Sequence, residues 1–347
     1  MSDASPLAAL PIDELTAAYD LGPIGSVDLL VGGKNEHHHV VTASGEFVVR
    51  RSYRSKTAAS LELEHSLVGH LRSAGFPAPE VVPTRGGGTW AMVGGRLTTV
   101  WVFVPGRPFS TGEPGDLEQA ARALARYHSL VADYAPPEPM PVGEELAERL
   151  PQRVQAVRAL AEAREASPAG AETSAVLDLL PSVLAEGDRV SAVLARLSPE
   201  LPRTLIHGGC RRGSLRFSGT ELVGVLDFDS ARCEMRVLDL GIAVHDFAKL
   251  YGQPGSADHK VALDLEVAER FLRIYRQEQA LGAPEVEALP AVLVAKRLTR
   301  ALGRYPRLLA GGATPGDVAK IRLELARVRW LEASASELGA ALQVLAG

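Results

Sequence analysis

Two kinds of hydrophobic spacing divide the chain, and each predicts a different secondary structure. Within the first hundred residues, short apolar runs interrupted by turn residues predict two β-hairpins, at residues 40–50 and 90–104. Residues 61–73 instead carry apolar side chains at the 3.6-residue period, which predicts a helix. Gly75 and Pro77 follow it and are typical of a helix end. The front of the chain therefore predicts a small sheet with one helix.

Helical spacing dominates the chain beyond residue 105. It predicts three long helices and a helical C-terminal part: residues 117–131, 144–165, 175–197 and 237–345. Short strands return only in a hairpin region at residues 204–231. A strand-rich front and a helix-rich back predict an α+β fold with two lobes. We place the boundary at the Pro/Gly cluster 105–108, which gives an N-lobe of residues 1–104 and a C-lobe of residues 105–347.

Composition narrows the class of protein without indicating its chemistry. The chain has 347 residues, of which 46% are hydrophobic, so two lobes can each bury a core. Its formal net charge of −5 argues against general binding to nucleic acids or anionic membranes. Two cysteines cannot form a disulfide framework, and no apolar stretch approaches the length of a membrane span. We expect a cytoplasmic protein with no nucleic-acid or membrane partner.

The segment that carries candidate chemistry begins where a predicted strand ends at His207-Gly208-Gly209. The hairpin that follows returns Asp227 at the end of a second apolar strand. A carboxylate at the end of a buried strand, near a glycine-rich loop, is a common way to hold Mg²⁺ against phosphates. The alternative is that Asp227 only caps a turn. These residues alone leave both interpretations open.

Taken together, segments along nearly the whole chain resemble the aminoglycoside phosphotransferase and homoserine kinase family, which has a bilobal protein-kinase-like fold. His207 and Gly208 match the start of the family's catalytic loop, and Asp227 matches its metal-binding aspartate. Residues 239–241, Asp-Leu-Gly, match its Asp-Leu-Ala segment. Residues 123–128 resemble the helix that opens the large lobe.

The N-terminal part resembles the family's nucleotide-binding parts. Asn35 belongs to a glycine-containing segment that looks like the phosphate-covering loop. Arg50 stands where the family places Lys or Arg to contact phosphates, and Glu64 looks like its helical carboxylate partner. Trp101 and Phe103 lie in a segment that resembles the hinge receiving adenine. The resemblance implies ATP and Mg²⁺ as cofactors, with Asn35, Arg50, Glu64, Trp101 and Phe103 as the nucleotide-binding set.

Two departures from the family's catalytic loop bear on the expected function. Gly209 stands in place of the catalytic aspartate, so the base that orients or deprotonates the acceptor hydroxyl is missing. Ser214 replaces the asparagine that helps hold the metal, so the metal set becomes Asp227 with Ser214. General-base assistance is worth about 10²–10⁴-fold, whereas phosphoryl transfer rests mainly on positioning and electrostatics. His207 and Asp229 are the candidates to replace the base.

The same region is unusually basic. Four arginines, Arg211, Arg212, Arg216 and Arg232, suit an anionic ligand such as a carboxylate, a phosphate or an acidic peptide segment. The alternative is that they are surface residues or pair with nearby carboxylates. A basic site disfavours a polycationic aminoglycoside as substrate.

Two functions follow from these observations. The first is a pseudokinase-like or atypical kinase subunit that binds a nucleotide, an anionic small molecule or a peptide. By resemblance, such subunits work with a partner enzyme in natural-product or modified-peptide biosynthesis. The alternative is an active ATP-dependent phosphotransferase acting on a hydroxyl of a small metabolite or of a peptidyl Ser/Thr. We prefer the first, because the catalytic loop has lost both the Asp and the Asn.

Overall fold

The computed structural model describes residues 10–30, 33–136, 144–164, 170–250 and 261–343, and these form two compact units. Among the described residues, unit 1 comprises 10–113 with its gap, 133–136 and 213–230, and unit 2 comprises the rest. Residues 213–230, which the sequence assigns to the C-lobe, thus group with unit 1.

Unit 1 is built on a six-stranded antiparallel sheet in the order β1-β2-β3-β6-β4, with β5 paired to β6. Its elements before residue 105, labelled in chain order, are α1 (Ile12–Ala18), β1 (Ile24–Leu30), β2 (Glu36–Thr42), β3 (Gly45–Arg51), α2 (Ala58–Ser73), β4 (Val81–Val82), β5 (Ala91–Val93) and β6 (Arg96–Val102). The apolar residues Val40, Val49 and Val100, on β2, β3 and β6, are fully buried. In this register His37 pairs with Arg50, and Arg50 pairs with Thr99.

Helix α2 begins and ends on local signals. The side chain of Thr57 accepts a hydrogen bond from the Ser60 amide at 3.3 Å, which caps the first turn. Gly75 adopts φ +71°, and this left-handed turn lets the Phe76 amide donate to the Leu71 carbonyl at 2.9 Å. The helix therefore ends as the sequence predicts and begins three residues earlier.

A second, three-stranded sheet in unit 1 has the order β10-β9-β7. It consists of β7 (Arg107–Pro108), β9 (Leu215–Ser218) and β10 (Glu221–Val225). The apolar strand that the sequence predicts to end at Asp227 ends earlier in the structure, at Val225. It stops there because Asp227 takes φ +67°, and a 3₁₀ helix, Phe228–Ser230, follows.

Unit 2 is mainly helical. Its elements are α3 (Asp116–Leu130), α4 (Leu146–Glu162), α5 (Ala171–Leu197), β8 (Arg203–Ile206), β11 (Arg232–Met235), α6 (Arg236–Ala248), α7 (Leu265–Glu278), α8 (Ala283–Leu302), α9 (Tyr305–Arg307), α10 (Pro315–Ala333) and α11 (Ala335–Gln343). Helix α8 is central, because α4, α5, α6 and α10 all pack against it. No helix in the described part of the chain is both long and apolar enough to cross a membrane. The predicted α+β class is confirmed.

Candidate functional site

A cavity of about 380 Å³ lies within unit 1. Much of its wall is apolar: Leu30, Val48, Val102, Val104, Leu226 and Phe228. Residues that the sequence predicts for nucleotide, metal and anion binding complete the wall: Arg50, Glu64, Trp101, Phe103, Arg216 and Asp227. The structure thus brings together residues that are up to 177 positions apart in the chain (from Arg50 to Asp227).

Arg50 and Glu64 form a buried, bidentate ion pair in this wall. Their two N···O distances are 2.7 and 3.0 Å, and both side chains are nearly inaccessible to solvent. The guanidinium also lies over the Trp101 ring, 5.2 Å from its centroid. Burial opposes the positive charge of Arg50, but the carboxylates of Glu64, Asp229 and Asp227 together outweigh it and raise the guanidinium pKa. The pair therefore holds a permanent cation in one orientation.

Lys56, which no motif predicts, is a second cation at the same carboxylate. Its ammonium lies 3.7 Å from Glu64 Oε2 and donates to the backbone carbonyl of Asp229 at 3.3 Å. Two cations therefore share one buried carboxylate here. Lys56 lies in a polar run between β3 and α2 that has no periodicity, so no sequence signal points to it.

His37 also lines the cavity and was not predicted there. Burial and then the neighbouring charge of Arg50 lower the pKa of its imidazole. The ring is therefore neutral near pH 7 and can donate one hydrogen bond and accept another. The register of the predicted β2–β3 hairpin could have indicated this position, because it pairs His37 with Arg50.

Asp227 presents its carboxylate to the cavity from a left-handed backbone. Among the described residues it is the non-glycine residue with positive φ. An aspartate tolerates that conformation better than most residues do. The turn is held because the Leu226 amide donates to the carbonyl of Ser214 at 2.7 Å. Asp227 therefore lies just after the end of the strand. Ser214, which is buried, lies opposite this turn, at the start of the hairpin.

The side chains of Asn35 and Asp229, both in unit 1, are joined by a hydrogen bond. Asn35 Nδ2 donates to Asp229 Oδ2 at 3.0 Å, and Asn35 Oδ1 accepts from the Tyr53 amide at 3.2 Å. The carboxylate of Asp229, a candidate replacement base, is therefore engaged by Asn35. Asn35 itself supports the segment that follows β3.

The donor chemistry at Asp227 fits a divalent cation such as Mg²⁺. Proteins commonly bind Mg²⁺ through only one or two carboxylates, and water and phosphate supply the remaining oxygen ligands. Within the described ranges, no group of three or more His, Cys, Asp or Glu side chains is placed to hold a metal without such help. The hydroxyl of Ser214 is the second oxygen that the sequence predicts for this ion.

The glycine-rich loop at 207–209 lies in unit 2, where Asp239 anchors it. Asp239 accepts hydrogen bonds from the amides of His207 at 2.6 Å and Gly208 at 2.9 Å. His128 Nε2 approaches the same carboxylate at 3.2 Å. Burial opposes ionisation of Asp239, but His128 and His207 together outweigh it and hold the carboxyl pKa below its ordinary value. The loop is held in place, yet Gly209 offers no side chain.

His207 is equally constrained. Its ring is almost fully buried, and Nδ1 accepts a hydrogen bond from the Gly209 amide at 3.2 Å. Tyr127 packs edge-on against it, with ring centroids 5.7 Å apart. These contacts give His207 a positioning role for the loop.

The four arginines predicted for anion binding divide between the two units. Arg216 lies in unit 1, where it lines the cavity and donates to the backbone carbonyl of Leu215 at 2.8 Å. The other three lie in unit 2. Arg212 donates to the Phe247 carbonyl at 2.6 Å, Arg232 lies 3.6 Å from Glu234, and Arg211 is exposed.

Comparisons with known proteins agree with this arrangement. The family model described as "Phosphotransferase enzyme family" matches residues 30–281. The homoserine kinase of Afipia carboxidovorans is 26% identical over 334 residues, which cover 94% of this chain and 92% of that protein. The homoserine kinase of Pseudomonas aeruginosa is 27% identical over 342 residues, which cover 94% and 96%.

Solved structures of kinases share the fold. An amicoumacin kinase in complex with AMP-PNP, Ca²⁺ and Ami has a TM-score of 0.69, with 16% identity over 92% of each chain. A microcompartment-associated aminopropanol kinase has a TM-score of 0.66, with 19% identity over 95% of this chain and 98% of that one. The kinase-like fold inferred from the motifs is confirmed.

Proposed function

Because the chain belongs to the phosphotransferase enzyme family, we propose that its unit 1 cavity binds Mg·ATP and that its catalytic loop makes it an atypical, pseudokinase-like member. The proposal rests on a contrast between the cavity and the catalytic loop. The cavity retains Arg50, Glu64 and Asp227, whereas position 209 has no side chain. The protein would use the bound nucleotide together with an anionic small molecule or peptide, and a partner enzyme would perform or complete the chemistry.

The cavity residues have separate roles in this proposal. The guanidinium of Arg50, held by Glu64, provides a fixed donor for phosphate oxygens. Trp101 and Phe103 belong to the largely apolar wall that would receive the adenine ring. Asp227 would hold Mg²⁺, which supplies charge neutralisation to the phosphates when bound. The neutral ring of His37 adds a hydrogen-bonding group without adding charge.

Gly209 limits what the loop can do with a nucleotide. Glycine has no carboxylate that could accept the proton of an acceptor hydroxyl. The loss of general-base assistance lowers the reaction rate about 10²–10⁴-fold. The Asp229 carboxylate is bonded to Asn35, and the buried His207 ring is bonded to the loop itself. These bonds give both side chains a structural role, which supports the proposal that the missing base has no direct replacement.

The alternative is an active phosphotransferase acting on a hydroxyl of a small metabolite or of a peptidyl Ser/Thr. It is favoured by the relatives, since homoserine kinases and an aminopropanol kinase carry small hydroxyl compounds in their names. Transfer by positioning and electrostatics alone remains compatible with Gly209, at a reduced rate.

Calorimetric titration with Mg·ATP tests the nucleotide site. We expect binding by the native protein and at least a tenfold weaker Kd in Asp227→Asn. Glu221→Gln serves as the matched control, because Glu221 is an exposed carboxylate on the same hairpin and lines no part of the cavity. The proposal fails if the native protein does not bind Mg·ATP.

Transfer from labelled Mg·ATP to a panel of anionic hydroxyl compounds and peptides tests the loop. We expect no turnover by the native protein and measurable turnover by Gly209→Asp. Native turnover at the 1–100 s⁻¹ typical of kinases would establish the alternative function instead.

A further inference from the structure

Asp229 is held at two points by residues that come 194 and 173 positions before it in the chain. Its side-chain Oδ2 accepts a hydrogen bond from Asn35 Nδ2 at 3.0 Å, and its backbone carbonyl accepts one from Lys56 Nζ at 3.3 Å. Asn35 directly precedes β2, and Lys56 lies between β3 and α2. All three residues belong to unit 1, and we call them the Asp229 clasp.

The two residues that hold Asp229 are themselves fixed within unit 1. Asn35 Oδ1 accepts a hydrogen bond from the Tyr53 amide at 3.2 Å, so both ends of the Asn35 amide are bonded to the protein. The Lys56 side chain is almost fully buried, and its ammonium lies 3.7 Å from the buried carboxylate of Glu64. The clasp therefore consists of constrained side chains, which can fix the position of the segment that they hold.

The clasp acts on the turn that carries Asp227. Asp229 is the middle residue of the 3₁₀ helix Phe228–Ser230, which begins directly after Asp227 and packs against α2. Asp227 has φ +67°, and a non-glycine residue keeps such a backbone only where its surroundings hold it there. Before the turn, the Leu226 amide donates to the Ser214 carbonyl at 2.7 Å. Asp227 is thus held by one hydrogen bond on the residue before it and by the clasp two residues after it.

We propose that Asp229 is a positioning residue for the metal site, because the clasp fixes the Asp227 carboxylate relative to Arg50. The cavity would then bind a nucleotide with its divalent cation more tightly than the nucleotide alone. Mg²⁺ demands near-ideal octahedral geometry, so a carboxylate that moves binds it less tightly. Glu64 connects the two sides, since it is bonded to Arg50 and lies against Lys56. The inference rests on the proposed function, which assigns Asp227 to the metal of a bound nucleotide.

A positioning role makes a different demand on Asp229 than a role as catalytic base or as a direct metal ligand. Positioning requires an acceptor oxygen for Asn35, whereas a base or a direct ligand to a dication depends on the negative charge. Asp229→Asn keeps an acceptor oxygen and removes the charge, and Asp229→Ala removes both. These two variants therefore distinguish the roles.

Calorimetric titration of the full-length protein with ADP, in Mg²⁺ and in EDTA, measures the ratio of the Kd for ADP to the Kd for Mg·ADP. We expect a ratio above one in the native protein. The ratio should fall about fivefold or more in Asp229→Ala and in Asn35→Ala, as the loss of a hydrogen bond implies, and stay within about twofold in Asp229→Asn. Asp20→Ala is the matched control, because Asp20 is an exposed aspartate of unit 1 that pairs with Arg85. It should keep the native ratio.

Hydrogen–deuterium exchange in the nucleotide-free protein gives a second readout that does not depend on binding. The peptide that covers residues 222–230 should exchange faster in Asp229→Ala and Asn35→Ala than in the native protein, because the turn loses its support. Asp229→Asn should exchange at close to the native rate. Circular dichroism verifies that each variant is folded.

The outcomes distinguish a failure of this inference from a failure of the proposed function. A native protein that binds neither ADP nor Mg·ADP refutes the proposed function and the inference with it. Preferential binding of Mg·ADP that survives unchanged in Asp229→Ala refutes the inference alone, and so do equal Kd values for ADP and Mg·ADP in the native protein.

Two further results would also overturn the positioning role. A ratio in Asp229→Asn that is as low as in Asp229→Ala would show that the Asp229 charge acts directly on the metal. An equal loss of affinity for ADP and Mg·ADP in Asn35→Ala, with the native ratio retained, would make Asn35 a direct contact of the nucleotide.

Discussion

Glu64 holds two cations with one buried carboxylate, and its loss would leave both without their counter-ion. Arg50 is bonded to it at two points, and Lys56 lies 3.7 Å from it. A buried charge that loses its partner keeps its desolvation cost and loses the compensating attraction. The stability of the cavity wall therefore depends on this single side chain more than on any surface ion pair.

Glu64→Gln should lower the free energy of unfolding by about 3–5 kcal/mol, as removal of one member of a buried ion pair does. Urea denaturation measures it. The matched control is Glu80→Gln, which breaks the exposed 2.6 Å pair with Arg72 and should cost less than about 1 kcal/mol. Equal losses in the two variants would contradict the burial argument.

His65 makes the stability of the protein sensitive to acid. Burial, with the charges of Arg50 and Lys56, lowers its pKa to about 3 in the folded state, against about 6.5 in the unfolded chain. Its contribution is present in full above pH 6.5 and is lost as the pH falls toward 3. The slope is up to about 1.4 kcal/mol per pH unit. His65→Gln should flatten the decline between pH 6 and pH 4.5 in denaturation experiments; an unchanged slope would contradict it.

At the scale of elements, the hairpin of β9 and β10 is what completes the cavity. Its close approach to the segment before β7 depends on Gly106, which has φ +145°. A Cβ at Gly106 would lie 2.8 Å from the carbonyl oxygen of Phe217, a backbone atom that cannot rotate away. The pairing of β7 with β9 therefore requires glycine at this position.

Gly106→Ala should destabilise the protein by about 1–3 kcal/mol, because it combines backbone strain with a steric clash. Gly219→Ala is the control in the same sheet: Gly219 also has positive φ, +58°, but its Cβ would meet nothing within 4 Å. That variant should lose only about 1 kcal/mol, the cost of the left-handed backbone. Denaturation midpoints compare the two, and an equal loss would mean that the approach to Phe217 is unimportant.

At the scale of the whole molecule, the net charge of −5 conceals an uneven distribution. Burial, with the charges of Arg232, Arg211, Arg149 and Arg300, lowers the pKa of the Lys296 ammonium in unit 2. The folded pKa of Lys296, about 7, lies below the ordinary value of about 10.4. Protonated Lys296 is therefore destabilising at and below pH 7, and the penalty disappears as the pH rises toward 10.4.

Lys296→Met should accordingly raise stability most at or below pH 7, with the gain shrinking toward pH 10. Lys320→Met removes an exposed lysine from α10 and is the control. Denaturation at pH 7 and pH 9.5 measures both variants. A gain from Lys296→Met that is independent of pH would show added hydrophobic burial rather than relief of repulsion.

Local patterns predicted much of the fold. Helices α2 to α5 and the β2–β3 and β5–β6 hairpins follow from apolar spacing and glycine turns close in the chain. Strand β1 was not predicted, because it is an edge strand whose residues are mostly exposed and lack alternation. The short strands β4 and β7 have two residues each, too few to show a period.

The candidate site was predicted only in part, for a related reason. Arg50, Glu64 and Asp227 were found through motif order. Lys56 and His37 were missed, since one lies in an irregular segment and the other depends on cross-strand register. The effect of Arg149 on the pKa of Lys296 could not be predicted, because the two residues are 147 positions apart (149 to 296) and share no motif.

The sequence by itself determined where helices α2 to α5 lie along the chain, the glycine turn that ends α2 and the absence of a carboxylate at position 209. These are local or covalent properties, which do not require distant residues to be placed. Only the tertiary structure decided which cations share Glu64 and which side of the β2–β3 hairpin faces the cavity. Electrostatic energy depends on distance and burial, and neither can be read from order along the chain.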